Sequence, residues 1–378
     1  MPMNYSIKEL GILLLFWSLG LSLGGYMLFP YLEAEGLGVL EMLVFFAFSS
    51  LVPLLMLLPL KKILLSESLF WGFISMAIAS LCLGFFGGMV GLSLWVVFSG
   101  ASFVLFWVPF NGIWFKHGKM ARAVHGAAYY GIGLVIGVLA PIGAGLLVAK
   151  SEYSTLFYLT GIVFGIGAIL SKKLWEKTTT TGNEIKKVNL FQGLNAISGF
   201  KTLFLLEAIG MHGFYVILLL ITLEYFHTPM EFGMFLGVST LFAVILSLVS
   251  AKISDSKKKR SVFIIITSAG LGASLLFASA VEGLIWWFSA VVIASLFRSL
   301  FPPFPIALLS DKKEDIVSAM YGRELVFNFS RTFFLILAIG IYFFFGSLRI
   351  TLFLSGIAML IYPLVYAHLK KEKLQILN

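Results

Sequence analysis

Four ionisable side chains stand inside long apolar stretches of this sequence: Glu207, His212, Arg298 and Arg331. A carboxylate or imidazole in such surroundings can carry a proton, and a guanidinium can hold an anion through its planar fork of donors. Each also has a plainer reading. Glu207 can form an internal ion pair with either arginine, and His212, beside Met211 and Phe214, can be a hydrogen-bonded core residue.

Further polar groups recur at helical spacing. Glu324, Asn328 and Arg331 follow one another at intervals of four and three, which sets them on one helix face that must look at protein or water. Ser18, Ser22 and Tyr26 recur every four residues ahead of Pro30, and Ser99, Ser102 and Asn111 lie around Pro109. Serine hydroxyls in apolar helices commonly bond their own backbone. Ser22, Tyr26, Asn111 and Asn328 are nevertheless retained with the four charged groups as candidate contacts for a solute.

Catalytic patterns are absent from the chain. It contains no H-E-x-x-H, no D-x-D and no phosphate-binding G-x-x-x-x-G-K-[ST], and its one cysteine, Cys82, has no partner for an internal disulfide. No cofactor, no metal site and no nucleic-acid partner is expected. A membrane-embedded lipid-processing enzyme and a non-transporting ligand-binding membrane protein stand as the alternatives to transport.

The elements that position these residues must lie in a bilayer. Between Glu67 and Lys116 no charged side chain occurs, and 60% of all residues are hydrophobic against 12% charged, with a mean hydropathy of +1.00. A helix rising 1.5 Å per residue needs roughly 20 apolar residues to cross hydrocarbon, so that run fits two passes joined at Gly87-Gly88. Uncharged runs give twelve passes: residues 11-32, 40-60, 68-87, 90-115, 124-149, 153-171, 200-223, 230-251, 261-281, 284-309, 318-346 and 349-368. The first run is too long for a signal-peptide core and is expected to be retained.

Of the lysines and arginines in loops and at helix ends, 23 fall on one side, Arg323 counted among them, and two, Lys150 and Arg349, on the other. That asymmetry sets both termini and the central loop in the cytoplasm of an integral membrane protein, with the cell membrane the expected site. The net charge of +9 follows from the same loops, which face anionic lipid. Residues 172-199 are expected to form a flexible linker between bundles at 1-171 and 200-378. A shift of 196 residues sets Pro109 on Pro305, Gly126 on Gly322 and Lys61-Lys62 on Lys257-Lys258, a faint repeat that agrees with six helices in each half.

This arrangement, an all-α protein of twelve transmembrane helices in two six-helix pseudo-repeats, resembles the major facilitator superfamily. The segment Ala251-Lys-Ile-Ser-Asp255-Ser-Lys257-Lys258-Lys259-Arg260 is similar to the family's cytoplasmic G-x-x-x-D-R-x-G-R-R loop, with the Asp and basic cluster matching and the glycines and the Arg after Asp not. Gly131, Gly133, Gly137, Pro141, Gly143 and Gly145 resemble the Gly/Pro-rich fifth helix of the family's exporters. The resemblance implies gating roles for Asp255 and Pro141, and Glu324 joins them as a gating candidate. It also implies that the first, fourth, seventh and tenth helices line a central cavity, which places Glu207, His212 and Arg298 on cavity-lining elements. By count along the helices Glu207 and Arg298 reach a similar depth and can pair, and both are expected to face one aqueous cavity with Arg331. The implied function is secondary active transport of a small solute by alternating access, with protons as the candidate coupling ion and a monomer as the working unit.

Overall fold

In a computed structural model, the structure describes residues 7–117, 122–179, 185–257, 260–302, 305–306, 308–309 and 315–376, with side chains omitted at 116–117, 122–130, 134, 177–179, 244–257, 260 and 372–376. Helices dominate because hydrocarbon offers no hydrogen bonds, so each pass must satisfy its backbone internally. In chain order they are α1 (Ile7–Ala34), α2 (Val39–Leu57), α3 (Leu65–Phe86), α4 (Gly88–His117), α5 (Arg122–Lys150), α6 (Tyr153–Thr179), the short α7 (Leu190–Ala196), α8 (Lys201–Thr222), α9 (Pro229–Lys257), α10 (Arg260–Ala280), α11 (Leu284–Leu300), α12 (Ile316–Phe345) and α13 (Leu348–Ile376). Two strands, β1 (Lys62–Leu64) and β2 (Ile185–Lys187), complete the described elements.

Ten of these helices are long and apolar enough to cross a membrane among the described residues. Pro229–Ala243 of α9 and the 17-residue α11 are shorter apolar helices at the places of the eighth and tenth expected passes. The tenth stops at Leu300, two residues before Pro302, as a ring without an amide donor requires.

Local sequence sets the helix ends. The Glu41 carboxylate accepts from the Gly38 amide at 2.6 Å to open α2, Thr228 and Glu231 cap each other's amides at the head of α9, and Asp315 accepts from the Ser318 amide at 3.3 Å to open α12. The turn between α3 and α4 falls at Gly87 and Gly88, whose φ angles of 58° and 43° only glycine adopts without strain.

Helix neighbours correspond between the two parts of the chain. α3 packs on α4 and α6 as α10 packs on α11 and α13, and α1 packs on α5 and α6 as α8 packs on α12 and α13. Across the middle, α5 meets α9, and α12 meets α2 and α4. The α5–α9 crossing is close because both faces are small. A Cβ on Gly145 would lie 2.5 Å from the Pro229 carbonyl oxygen, one on Gly237 would lie 2.6 Å from that of Val138, and one on Gly233 would strike the Pro141 carbonyl.

The stretch expected as a flexible linker is largely ordered. α6 continues to Thr179, β2 pairs antiparallel with β1 in the register Lys62↔Lys187, Ile63↔Lys186 and Leu64↔Ile185, and Asn189 caps α7 through Gln192. Gly193 of α7 sits directly against Tyr321 and Gly322 of α12. Composition alone suggested flexibility; the pairing partners lie 121 to 125 residues earlier, beyond the reach of a local reading. Residues 180–184 of the threonine-rich segment lie outside the described residues.

Candidate functional site

The site begins with two irregular turns. α1 and α8 are each interrupted by a π-helical segment, at Leu21–Gly25 and at Gly213–Leu218. Such segments leave backbone groups less regularly paired and turn side chains out of the α-helical register, and they concentrate at functional positions. Tyr26 follows the first and Tyr215 lies inside the second.

Both tyrosines meet Arg298 of α11. Its guanidinium donates to the Tyr215 hydroxyl and also reaches the Tyr26 hydroxyl. The faces of Phe214 and Tyr215 lie 5.2 Å and 4.6 Å from the cation. One arginine of α11 is therefore held by a tyrosine from α1 and a tyrosine from α8. Arg298, Tyr26 and Tyr215 are all half-buried.

Glu207 and Arg298 do not pair. Glu207 lies 2.9 Å from Arg323 of α12, whose other terminal nitrogen lies 2.9 Å from Glu324. Side-chain direction explains the exchange. Helical side chains lean toward their own N-terminus, and α8 and α11 run in opposite directions, the start of α11 at Trp287 contacting the end of α8 at Thr222. At equal Cα depth Glu207 and Arg298 therefore point apart, whereas Tyr215, two turns further along α8, points back toward Arg298. Arg323, counted from the sequence as a loop charge, lies on a helix that begins at the same end as α8 and leans the same way.

The stripe expected from Glu324, Asn328 and Arg331 is partly replaced. Arg323, Phe327 and Arg331 form a row at spacings of four, with the two guanidinium carbons 4.3 Å and 4.6 Å from the Phe327 ring. The Asn328 amide donates to the Glu324 carbonyl at 2.8 Å and so serves its own helix. Arg331 is half-buried, makes no hydrogen bond or ion pair among the described residues, and lies within electrostatic reach of His212, Tyr215 and Glu324. His212 is nearly buried and its Nδ1 finds no partner among the described residues.

Glu207 is 1% exposed and faces no accessible space, contrary to the expectation that it shares a cavity with the two arginines. Ser22 is buried within the first π-turn, and Asn111 is buried one residue from Gly112, which abuts Val317 at the start of α12, far along α4 from the arginine cluster. Pro141 lies in the α5–α9 crossing. The Asp255 side chain lies outside the described residues. Sequence reasoning missed Arg323, which its spacing of eight from Arg331 could have revealed, while nothing in the sequence marks the π-turns. No group of three or more metal-ligating residues occurs among the described residues. A cavity of about 250 Å³ bordered by Lys62, Glu67, Trp71 and Ile185 lies beside the β1–β2 ribbon, apart from these charges.

Among solved structures, a POT family transporter in complex with a thioalcohol conjugated peptide is similar with a TM-score of 0.71 at 13% identity, covering 97% of this chain and 96% of that one. A bacterial homologue of the iron transporter ferroportin, in an outward-facing state with soaked iron, gives 0.72 at 14% identity over 97% and 100%. The human organic anion transporter MFSD10 gives 0.65 at 11% identity over 94% and 97%. These likenesses establish the fold. Among curated proteins none matches the sequence. The family model described as Major Facilitator Superfamily matches residues 114–322, more than half of the chain, from the end of α4 through the ion-paired start of α12. The chain belongs to the major facilitator superfamily.

Proposed function

We propose that this protein is a secondary active transporter that moves a small solute by alternating access, with bundles at 1-171 and 200-378 rocking about the site where Tyr26, Tyr215 and Arg298 meet. One observation carries the reading: Arg298 of the second half is held by a tyrosine from each half, beside π-turns in both first helices. A solute bound there touches both bundles, so its binding energy can bias one arrangement over the other. The corresponding helix neighbours support six helices in each half and twelve in all. Related folds have been solved with a peptide conjugate and with 5-aminolevulinic acid, which favours a small molecule as cargo here and transport over enzymatic chemistry.

The candidate for proton coupling moves from Glu207 to Glu324. Glu207 is enclosed and bound to Arg323, whereas the Glu324 side chain keeps 12% of its surface accessible while touching the same arginine. Protonation of Glu324 would free one arm of Arg323, and Asp255 is retained as a gating candidate at the end of α9. The basic asymmetry orients the β1–β2 ribbon and both termini to the cytoplasm of the cell membrane. The protein works as one chain among membrane lipids.

Purified protein reconstituted in vesicles, screened over anionic, neutral and cationic solutes with and without a pH gradient, tests the reading. Flux of one class, faster with the gradient and insensitive to it in Glu324→Gln, is the expected result. Folded protein that moves no class would refute transport. Gradient dependence surviving in Glu324→Gln would remove that residue from coupling. For orientation, Lys187→Cys and Ser151→Cys in a Cys82→Ala background should react with an impermeant thiol reagent from opposite faces, and reaction from the same face would overturn it.

A further inference from the structure

We infer that the space between Arg298 and Arg331 is a binding site for a water-soluble organic anion, its carboxylate or phosphate held by the two guanidinium groups with the Tyr26 and Tyr215 hydroxyls as flanking polar groups. The inference deepens the transport reading and rests on it for what the site is for. Binding itself is measured apart from flux.

The charge distribution is the first observation. At this level the described residues supply Glu207 and Glu324 against Arg298, Arg323 and Arg331, and both carboxylates lie on Arg323 at 2.9 Å. Among the described residues Arg298 and Arg331 have no carboxylate within 4.0 Å. Glu324 and Glu207 lie within electrostatic reach of Arg331 but are both bonded to Arg323, and guanidinium groups with no carboxylate in contact at bilayer depth are costly unless water or a ligand meets them. Both side chains keep part of their surface accessible.

Geometry is the second. Arg331 stands fifteen residues into α12 and Tyr215 fourteen into α8. At 1.5 Å per residue both lie roughly 22 Å from the same end of the bundle. Tyr215 contacts Arg298 directly and lies within electrostatic reach of Arg331 as well. Arg298 is anchored by two phenolic oxygens, neutral acceptors that orient the fork without discharging it, and its Nε has no partner among the described residues. Arg331 packs on the Phe327 ring and makes no hydrogen bond among the described residues, so its fork of donors can meet a planar oxyanion. The apolar faces of Phe214 and Phe327 border the two cations and suit an apolar or aromatic body on the ligand. A cationic solute would meet two like charges, and with no cluster of metal-ligating residues described, a metal ion lacks its donors.

The test uses the purified full-length protein in detergent and four probes of one shape: benzoate and phenyl phosphate as anions, benzamide as the neutral form and benzylamine as the cation. Thermal-shift titration should show saturable stabilisation by at least one anion and by neither other probe. Arg298→Gln and Arg331→Gln should each weaken that binding about tenfold or more, while Lys150→Gln, at an exposed position, should not. Absence of a shift with both anions, a shift with benzamide or benzylamine alone, or anion binding that persists unchanged in both arginine variants overturns the inference. Should either arginine variant fail to fold, Tyr215→Phe, which keeps the ring and deletes the hydroxyl, must weaken anion binding several-fold, and unchanged binding overturns the proposal. Phosphatidylglycerol added as competitor should leave the benzoate shift in place; displacement would assign the arginines to a lipid headgroup instead. Arginine-dependent anion binding without flux in vesicles defeats the transport reading alone, and arginine-independent flux of a neutral solute defeats this inference alone.

Discussion

Arg323 and Glu207 form a buried ion pair, 2.9 Å apart, between the two helices α12 and α8 that start at the same end of the bundle, and the second arm of the same guanidinium holds Glu324. Removing one partner of a buried pair leaves the other charged and unsolvated. Arg323→Leu should therefore destabilise the protein by about 3–5 kcal/mol. The double variant Arg323→Leu/Glu207→Leu removes the orphaned charge and should recover most of that loss. Melting of the detergent-solubilised variants decides: a double variant no more stable than Arg323→Leu would show that the pair's partner is not what makes the single change costly.

Glycines of the two crossing helices α5 and α9 should differ sharply. Gly237 faces Ile142 and the Val138 carbonyl across the α5–α9 crossing, so a methyl group there must push two helices apart. Gly237→Ala should cost about 1–3 kcal/mol and slow transport. Gly143 on α5 has open space where its Cβ would be, and Gly143→Ala should be neutral. Equal effects at both positions would contradict close packing as the reason for the small residues in this crossing.

How far the sequence reached follows from which forces act locally. Helix ends are legible because they depend on neighbours in the chain: Gly87-Gly88 marks a turn, and Pro302 ends α11. The family was legible too, through the basic asymmetry and the partial match around Asp255. Partnerships between helices were not, because Cα depth ignores the lean of a side chain toward its helix N-terminus, which parts Glu207 from Arg298 and joins it to Arg323. Arg323 itself was obscured by being grouped with Lys312 and Lys313, although it stands seven residues inside α12. The π-turns that aim Tyr26 and Tyr215 depend on tertiary packing and leave no mark in spacing.

The β1–β2 ribbon sets Lys62 directly opposite Lys187, a like-charge pair that opposes the pairing. Lys187→Glu should turn repulsion into attraction, worth about 0.2–1 kcal/mol at low salt. Its readout is cross-linking between Ile63→Cys and Lys186→Cys, the neighbouring Cα partners, in a Cys82→Ala background. The pair should cross-link, and faster when Lys187→Glu is added. No cross-link in either form would exclude this register.

Tyr321 of α12 donates its hydroxyl to the Leu57 carbonyl at 2.7 Å, and Leu57 is the last residue of α2. The same carbonyl accepts from the Leu60 amide at 3.1 Å, and the Tyr321 bond ties α12 to α2 at the end of the bundle bearing the ribbon. Gly112 of α4 and Val317 of α12 meet at the same end, so α12 is held there by α2 and α4 together. If the halves rock in transport, this contact must break whenever the site opens toward the ribbon. Tyr321→Phe keeps the ring and deletes the bond, which should lower the cost of opening by about 1 kcal/mol, roughly a fivefold shift in population. Ser102→Cys, at a buried position on α4, reports the change in a Cys82→Ala background as faster reaction with a thiol reagent applied from the ribbon side. A reaction rate unmoved by Tyr321→Phe would mean that the bond does not restrain opening at that end.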